Sequence, residues 1–413
     1  KNTLTGLFLF LFTFLGFSDV FGQTTTVTTP GNYTFTVPCD VTSITVQAWG
    51  AGGGGYGDNN NDDVTGRGGG GGAYTTATLA VTGGQVINFT VGAGGTAGSP
   101  IGGNGGNTTF LTLIAGGGTG GNVGAGGAGG VASGGTTNID GGTSTSTGSS
   151  TNGAAGGNGG GPGGGTGGAG GGDGVNGSNG ATIGGGGGAS GDRSGGAEIG
   201  GAGARGEIRI TYTSTLQAYC VPTFTSGSAS ITNVTFAGIN NTTASAALGG
   251  ELDHYRYCNE ATVVQGSLIN VISVKGNTYG NNTFHIRAYI DWNQDGDFID
   301  ANETYLVGTI TNSTGVDAIS AVGNISVPAT ANVGKTRMRV IYQFNSDPTN
   351  PCRTGVGNGQ VEDYVVNVNA ALPCVTPTAQ PTALNLTPAG STISGGFIAA
   401  SPAADNYLVV VST

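Results

Sequence analysis

The sequence predicts an all-β protein in which a small β-scaffold carries a glycine-rich, polyglycine-II-like bundle and is followed by a β-sandwich and a truncated immunoglobulin-like sandwich. Short segments of alternating apolar and polar residues recur along the chain, and no helical periodicity is found after residue 214. Most of the 88 glycines lie between Gly50 and Gly206. The length of 413 residues is sufficient for two or three domains.

The first 22 residues are typical of a secretory signal peptide. A positive charge at Lys1 precedes an apolar run over residues 7–17, and small residues stand just before Gln23. The alternative is a membrane anchor, but the run is short for spanning a bilayer. We therefore expect cleavage before Gln23, export, and no membrane insertion after cleavage.

The charge of the chain argues against two classes of partner. The formal net charge is −11, and the chain has only 12 lysines and arginines. Binding of nucleic acid and binding to anionic membrane surfaces both require clustered cations. We therefore expect no nucleic-acid partner.

Five cysteines are present in a chain expected to be exported: Cys39, Cys220, Cys258, Cys352 and Cys374. In an oxidising compartment they should form disulfides, with one cysteine left over. Spacing does not fix the pairing. We predict that Cys352 pairs with Cys220 or Cys258 inside the sandwich, and that Cys39, which lies in a different module, is the odd cysteine.

Residues 23–213 form the predicted glycine-rich domain. Strands are predicted at both its ends and between its glycine runs: two over 30–50, then 73–81, 85–92, 107–114 and 206–213. The glycine runs are either a flexible linker or an ordered bundle of helices with three residues per turn, whose backbone groups bond between helices. Collagen is excluded because the glycines lack a period of three. The closing strand at 206–213 favours order.

The sequence TFTVPCDVTSITVQAWGAGGGG, the later AGGAGG blocks and GARGEIRITYT resemble the glycine-rich domain of secreted bacterial surface proteins. Phage tail-tip adhesins and the glycine-rich domain of some receptor kinases are similar in composition. The resemblance covers about residues 25–213 and implies a projecting adhesive or structural module.

Residues 214–370 change in composition, because glycine becomes scarcer and β-branched residues more frequent. Seven short strands are predicted: 230–239, 267–275, 283–292, 304–310, 323–330, 336–344 and 361–369. This spacing is typical of a β-sandwich. Alternation places two sets of side chains in its core: Phe284, Ile286, Ala288, Ile290 and Trp292, and Met338, Val340, Tyr342 and Phe344.

This segment resembles a GEVED domain, a β-sandwich module of secreted Bacteroidota proteins. The residues that carry the resemblance are YIDWNQDGDFIDANE (289–303), VPATANVGKTRMRV (327–340), Cys352 and GQVEDYVVNV (359–368). Gln360 departs from the pattern at the first acidic place of the motif. The resemblance implies export by the type IX system. On the last strand we expect Glu362 on the core side, near the acidic loop or paired with an arginine.

Residues 371–413 begin with the proline-rich segment LPCVTPTAQPTAL. The segments that follow, STISGGFIAAS and NYLVVVST, resemble the first strands of a fibronectin type III domain. About forty residues are too few to close such a sandwich, so we expect this domain to be cut within its fold.

The stretch 289–303 concentrates five acidic residues in a chain that is only 8% charged. Side chains at alternate positions followed by Gly296 resemble the first half of an oxygen-ligand calcium loop. The alternative is an Asx-rich turn with solvated carboxylates. A full EF-hand is excluded, because its bidentate Glu position holds Asn302. We predict calcium as the cofactor, held by Asp291, Asn293, Asp295 and Asp297, with Asp300 and Glu303 as further candidates.

The sequence shows no catalytic site. The two histidines, His254 and His285, have no partner at metal-ligand spacing, and the glycine tract offers no nucleotide-binding motif in a suitable context. We therefore expect a secreted, non-catalytic adhesive or structural protein that binds a glycan or another cell-surface ligand. Two alternatives are the accessory region of a secreted hydrolase whose catalytic domain lies beyond residue 413, and an ice-binding glycine-rich bundle.

Overall fold

The computed structural model describes residues 21–58, 66–144, 152–191, 198–250, 252–355, 357–371, 382–390 and 392–399. These residues form strands, turns and glycine-rich segments without a helix, which confirms the predicted all-β class. The chain divides into two compact units, residues 1–369 and 370–413. Most of the predicted signal peptide lies outside the described residues.

Ten strands build the scaffold of the first unit: β1 (Phe21–Val27), β2 (Gly31–Thr36), β3 (Ser43–Trp49), β4 (Tyr74–Ala80), β5 (Val86–Val91), β6 (Thr108–Phe110), β7 (Leu113–Ala115), β8 (Ala132–Ser133), β9 (Thr137–Ile139) and β10 (Glu207–Ser214). They form two five-stranded sheets, in the orders β1-β10-β3-β4-β9 and β2-β5-β6-β7-β8. Alternate residues of the long strands meet in one apolar core, which includes Val46, Ile87, Phe110 and Ile208.

The scaffold differs from the prediction at three places, and one of them is the pair of short strands β8 and β9, which was not predicted. The segment 107–114 is not one strand, because the chain reverses at Leu111 (φ 51°) and forms the hairpin of β6 and β7. Strand β1 was not predicted, since its run of threonines lacks an alternating apolar pattern. It forms the edge next to β10, with Gln23 opposite Tyr212.

The glycine-rich segments leave the scaffold and return to it at one end. Gly50, just after β3, donates to the carbonyl of Ala73, just before β4 (2.8 Å). Gly106, just before β6, donates to the carbonyl of Ala93, just after β5 (2.8 Å), and Gly206 donates to Gly92 (2.9 Å). Each of these excursions therefore leaves the scaffold and comes back to the end from which it started.

Hydrogen bonds within the glycine-rich tract show a period of three. Ala51, Gly52 and Gly53 donate to the carbonyls of Gly106, Ala204 and Gly70, and the next three residues donate to the same three neighbouring segments, at Gly103, Gly201 and Arg67. Three residues per turn and no bonds within the segment are the features of a polyproline-II-type helix. The described part of the tract is therefore the predicted helical bundle and not a free linker.

Close approach of backbones explains why these positions are glycine. A Cβ built on Gly70 would lie 1.9 Å from the carbonyl oxygen of Ala128, and one built on Gly69 would lie 2.1 Å from that of Gly53. Real carbon and oxygen atoms do not come so close. A side chain here would separate the helices and break the hydrogen bonds that hold them.

Nine strands form the sandwich: β11 (Ile231–Phe236), β12 (Ile239–Thr242), β13 (His254–Val264), β14 (Asn270–Gly276), β15 (Thr283–Ile290), β16 (Thr304–Thr311), β17 (Ala321–Ile325), β18 (Gly334–Phe344) and β19 (Gly359–Asn369). The four-stranded sheet has the order β12-β11-β14-β17, and the five-stranded sheet has the order β13-β19-β18-β15-β16. All pairs are antiparallel except β13 with β19.

The predicted core faces of β15 and β18 are confirmed with one exception. All five predicted residues from Phe284 to Trp292 are buried, as are Met338, Val340 and Tyr342. The prediction that Phe344 lies in the core is wrong. Its side chain is 37% exposed, because it lies at the end of β18 and covers the edge of Phe284. Strand β13 was not predicted, since a register shift between Arg256 and Glu260 interrupts its alternation.

Two disulfides are formed. Cys352 pairs with Cys220, as one of the two predicted alternatives states. The prediction that Cys39 is the odd cysteine is wrong, because Cys39 pairs with Cys258 and joins the scaffold to β13 of the sandwich. Sequence order placed Cys39 in another module, but the fold brings that module against the edge of the sandwich. Cys374 lies outside the described residues.

The second unit contains a hairpin of β20 (Thr382–Ala389) and β21 (Thr392–Ile398). The residues of β20 are all exposed. The rest of the predicted fibronectin type III domain lies outside the described residues.

Candidate metal centre

The acidic stretch is the loop that joins β15 to β16 at one end of the sandwich. Asp291 follows directly after β15 and is fully buried. Its Oδ1 accepts hydrogen bonds from the amides of Gln294 (2.6 Å) and Asp295 (3.3 Å). Its Oδ2 accepts from the Gly296 amide (3.0 Å) and from the Tyr219 hydroxyl (2.6 Å). This carboxylate therefore fixes the first turn of the loop.

An apolar residue holds the middle of the loop on the protein. Phe298 is buried and stacks on Tyr219 with ring centroids 4.8 Å apart. The two rings belong to a small second core on the outer face of the five-stranded sheet, with Tyr289 and Ile341. Because Phe298 is anchored, the carboxylates on either side of it are held in place.

Three carboxylates meet on the outer side of the loop. Oxygens of Asp295, Asp297 and Asp300 all lie within 4.8 Å of one another. The side-chain amide of Asn293 donates to Asp295 Oδ2 (2.9 Å) and to Asp300 Oδ2 (2.8 Å). The amide thus occupies the place between two like charges, where a cation would also be stabilised.

Glu303 closes the loop from the inside and has one unsatisfied oxygen. The residue is 1% exposed, and its Oε1 accepts from the Trp292 amide (2.7 Å). Its Oε2 is buried without a hydrogen-bond partner in the part of the chain that the structure describes. Burial raises the pKa of Glu303 to about 7, the amide of Trp292 acts against this shift, and the charge of Asp291 adds to it.

This donor set fits a calcium ion. Calcium prefers carboxylate and amide oxygens, and the loop supplies them on both sides of a glycine turn at Gly296. Asp295, Asp297 and Asp300 would hold the ion, with the side-chain oxygen of Asn293 as a further donor.

The structure therefore gives the predicted ligands different roles. Asn293, Asp295 and Asp297 lie together, and Asp300, predicted as a further candidate, lies among them. Asp291 already accepts four hydrogen bonds and organises the loop instead. Glu303 lies against the amides of Trp292 and Asn293.

A second charged cluster lies on β18 and β19. Asp363 accepts from Arg339 at both oxygens (2.8 and 2.9 Å), and its Oδ2 lies 2.9 Å from His254 Nε2. Burial acts to raise the pKa of Asp363, but the hydrogen bonds and charge of Arg339 outweigh it, so the pKa lies below its usual range. Arg339 on β18 and Asp363 on β19 therefore form a buried ion pair between neighbouring strands.

The other two residues of the motif serve the packing of the sandwich. Glu362 is buried on the core side of β19, and its carboxylate accepts from the Tyr364 hydroxyl (2.5 Å). Gln360 is buried as well, and its Oε1 accepts from the Ile231 amide (2.7 Å). An amide oxygen at this position therefore supplies the same kind of acceptor as a carboxylate.

Sequence reasoning missed Tyr219 and the segment at His254. Tyr219 hydrogen-bonds Asp291, packs on Phe298, and lies under the guanidinium of Arg337 at 4.3 Å. The sequence did offer one signal for Tyr219, because it lies next to Cys220, whose disulfide with Cys352 fixes this segment on the sheet.

Comparisons with known protein families agree with this architecture. Residues 26–213 match the family described as the glycine-rich domain, and residues 285–367 match the family described as the GEVED domain. No curated protein matches the chain. Among the described residues, no helix is long and apolar enough to cross a membrane.

Proposed function

We propose that this chain is a secreted, non-catalytic surface protein whose glycine-rich module presents an adhesive or structural tip to an extracellular glycan or another cell-surface ligand. The observation that supports this proposal is that the glycine-rich segments leave the scaffold, and return to it, at one end. The two disulfides are consistent with an extracellular location.

The outer turns of the bundle come together away from the scaffold. Gly57 donates to the carbonyl of Pro100 (2.7 Å), and Glu198 donates to that of Asp58 (2.8 Å). Apolar side chains are exposed on the turns, with Ile101 at 66% and Val175 at 54%. Binding residues are often carried on turns that a rigid scaffold holds in place.

The sides of the bundle offer less to a partner, because polar side chains there are already engaged. Asn104 and Asn107 accept from the amides of Gly120 (2.8 Å) and Gly117 (2.9 Å). Asn176 and Asn179 do the same for Ile199 and Ala202 on another side. These asparagines satisfy amides of the outermost helices, so we place the adhesive surface at the turns.

The test is binding of the full chain, without its leader, to a glycan array and to intact cells. We expect the double variant Ile101→Ser, Val175→Ser to lose binding by about tenfold or more, as a buried apolar contact is worth roughly 1.5–3 kcal/mol. Val131→Ser is the matched control, because Val131 is 67% exposed but lies at the scaffold end. Equal binding by all three proteins would reject the tip, and release of glycan fragments would reject the non-catalytic assignment.

We propose in addition that the β15–β16 loop binds calcium, which would fasten the loop to the sandwich. The proposal is supported by the three clustered carboxylates. Because calcium would bind the folded loop and not the unfolded chain, it should raise the melting temperature. The gain should disappear with EDTA and in Asp295→Ala; an unchanged melting temperature in calcium and in EDTA would show that the loop is only a turn.

A further inference from the structure

A cleft lies where the scaffold and the sandwich of the first unit meet. Its volume is about 760 Å³. Residues 36–39 and Tyr212 line it on the scaffold side, and β13 and β19 line it on the sandwich side. The Cys39–Cys258 disulfide lies in its wall, so the two sides are covalently joined.

Arg337 enters the cleft without a strong partner. Its side chain is 15% exposed and lies over the ring of Tyr219 at 4.3 Å. Its nearest carboxylate, that of Asp363, is 3.8 Å away, and both oxygens of that carboxylate are occupied by Arg339. Within the described residues, the Arg337 guanidinium donates no hydrogen bond. Its charge is therefore only weakly compensated.

A second guanidinium adds to this positive charge. Arg256 is exposed, lines the same cleft and forms no ion pair with any described residue. Burial lowers the pKa of Arg337, and the nearby charge of Arg256 lowers it further, although Asp363 acts in the opposite direction. Two cations that repel each other in a partly dry cleft would be stabilised by an anion.

The lining of the cleft also contains aromatic rings. Tyr255 and Tyr257 lie with their ring planes 8° apart and their centroids 5.7 Å apart. Tyr257 in turn stacks on Tyr364. Tyr257 lies between the other two rings and Tyr364 is buried, so Tyr255 is the ring left to pack against the apolar face of a pyranose, while guanidinium groups bind a carboxylate at two points. The cleft therefore combines groups for a sugar ring with groups for its acid function.

The charge of the whole protein narrows the ligand. A net charge of −11 repels a dense polyanion, whereas one acidic group can reach a local pair of arginines. We propose that this cleft binds a single carboxylated sugar residue at the end or at a branch of a glycan. This site is separate from the outer turns of the bundle and does not depend on the tip proposed above.

Calorimetry with the full chain tests the proposal. The probes are two matched pairs: sialyllactose with lactose, and trigalacturonate with its methyl ester. We expect at least one acidic member to bind, and its neutral counterpart to bind at least tenfold more weakly. Arg256→Gln and Arg337→Gln should each weaken binding by about tenfold or more. Arg256 is exposed, so this variant keeps the test valid if Arg337→Gln does not fold.

Lys335→Gln is the matched control, because it removes one positive charge from the same strand outside the cleft, where Lys335 pairs with Glu260 at 2.8 Å. It should leave binding unchanged. The proposal is overturned if neither acidic sugar binds, if the neutral sugars bind equally well, or if Lys335→Gln weakens binding as much as Arg256→Gln. A peptide with a free terminal carboxylate that binds when the sugars do not would overturn it as well. Loss of cell binding by the Ile101→Ser, Val175→Ser variant bears only on the tip.

Discussion

The glycine bundle and the sandwich bury their chains by opposite means. In the bundle, backbone packs on backbone, and Gly53, Gly69 and Gly70 each lie against a carbonyl of a neighbouring helix. In the sandwich, two sheets are held apart by large side chains such as Phe284, Met338 and Tyr342. Specificity in the first region therefore depends on the absence of side chains, and in the second on their shapes.

Hydrogen bonds also have different roles in the stability of the two regions. In the sandwich, burial of apolar side chains drives folding, and hydrogen bonds between strands satisfy the backbone N–H and C=O groups that are buried with them. Bundle helices have little apolar side-chain surface, and ordering a glycine costs about 1–2 kcal/mol of conformational entropy. The bundle must therefore form its network of bonds together, and one intruding group should affect many of them.

The largest effect is expected from Gly70→Val. The new side chain would collide with the backbone of Ala128, so the loss should be at least about 5 kcal/mol, above the usual 1–3 kcal/mol of overpacking. Hydrogen exchange by mass spectrometry should show protected amides in the bundle of the parent protein and rapid exchange in the variant. Gly172→Val is the control, because its nearest neighbour is a flexible Asn152 side chain at 3.7 Å. Rapid exchange in the parent protein would contradict the bundle itself.

A large effect in the sandwich is expected from Arg339→Met. The change leaves the buried Asp363 carboxylate without its two-point partner, and breaking such a pair costs about 3–5 kcal/mol. Urea unfolding followed by tryptophan fluorescence measures it. Lys335→Met, which removes an exposed ion pair of the same strand, should cost less than about 1 kcal/mol. Equal losses would mean that the buried pair has no special role.

An intermediate effect is expected from Glu303→Gln, and it depends on pH and calcium. Because the folded-state pKa is raised from 4.5 to about 7, the metal-free protein should lose stability as the pH rises through this window. In EDTA at pH 8 the variant should therefore be more stable than the parent, by about 1–3 kcal/mol. With calcium, the difference in stability between the variant and the parent protein should become smaller or change sign, because the variant lacks the negative charge of Glu303.

Melting curves at pH 5 and pH 8, with calcium and with EDTA, check these four conditions. The same pH dependence in Glu303→Gln and in the parent protein would place the titrating group elsewhere. An equal calcium response in both would remove Glu303 from the calcium site without rejecting the outer carboxylates.

The smallest effect is expected from Asn179→Ala at the side of the bundle. It removes one acceptor for the Ala202 amide (2.8 Å), an exposed bond worth about 0.5–1.5 kcal/mol. Local hydrogen exchange at residues 198–206 should rise while the rest of the bundle stays protected. Ser178→Ala on the neighbouring exposed residue serves as control. Collapse of the whole bundle would show that the asparagines contribute more than one bond each.

Sequence reasoning was most successful where a pattern repeats. Period-two alternation located β15 and β18 and their core faces, and the density of glycine predicted close-packed three-residue helices. It failed where the structure departs from a period: at the hairpin of Leu111, at the register shift in β13, and at Phe344 on a strand end. The prediction that Cys39 is the odd cysteine was wrong, because contacts between modules leave no local pattern.

The acidic loop shows the same limit at the level of single residues. Spacing identified the carboxylates, but it could not separate Asp291, which is used up by backbone amides, from Asp300, which faces the cluster. That separation depends on Tyr219 and Phe298, which are distant in sequence from each other and meet on the outer face of the sheet.

The common end from which the glycine helices leave the scaffold has a consequence for how this protein can change. The outer turns that the structure describes, such as those at Ile101 and Val175, are joined to the scaffold through helices whose register is set by glycine spacing, so such a turn can be lengthened or replaced without moving a strand. A family built on this plan would diversify by exchanging turns while keeping glycine positions constant. Differences in the sequences of the outer turns would then reflect differences in the ligands of the family members.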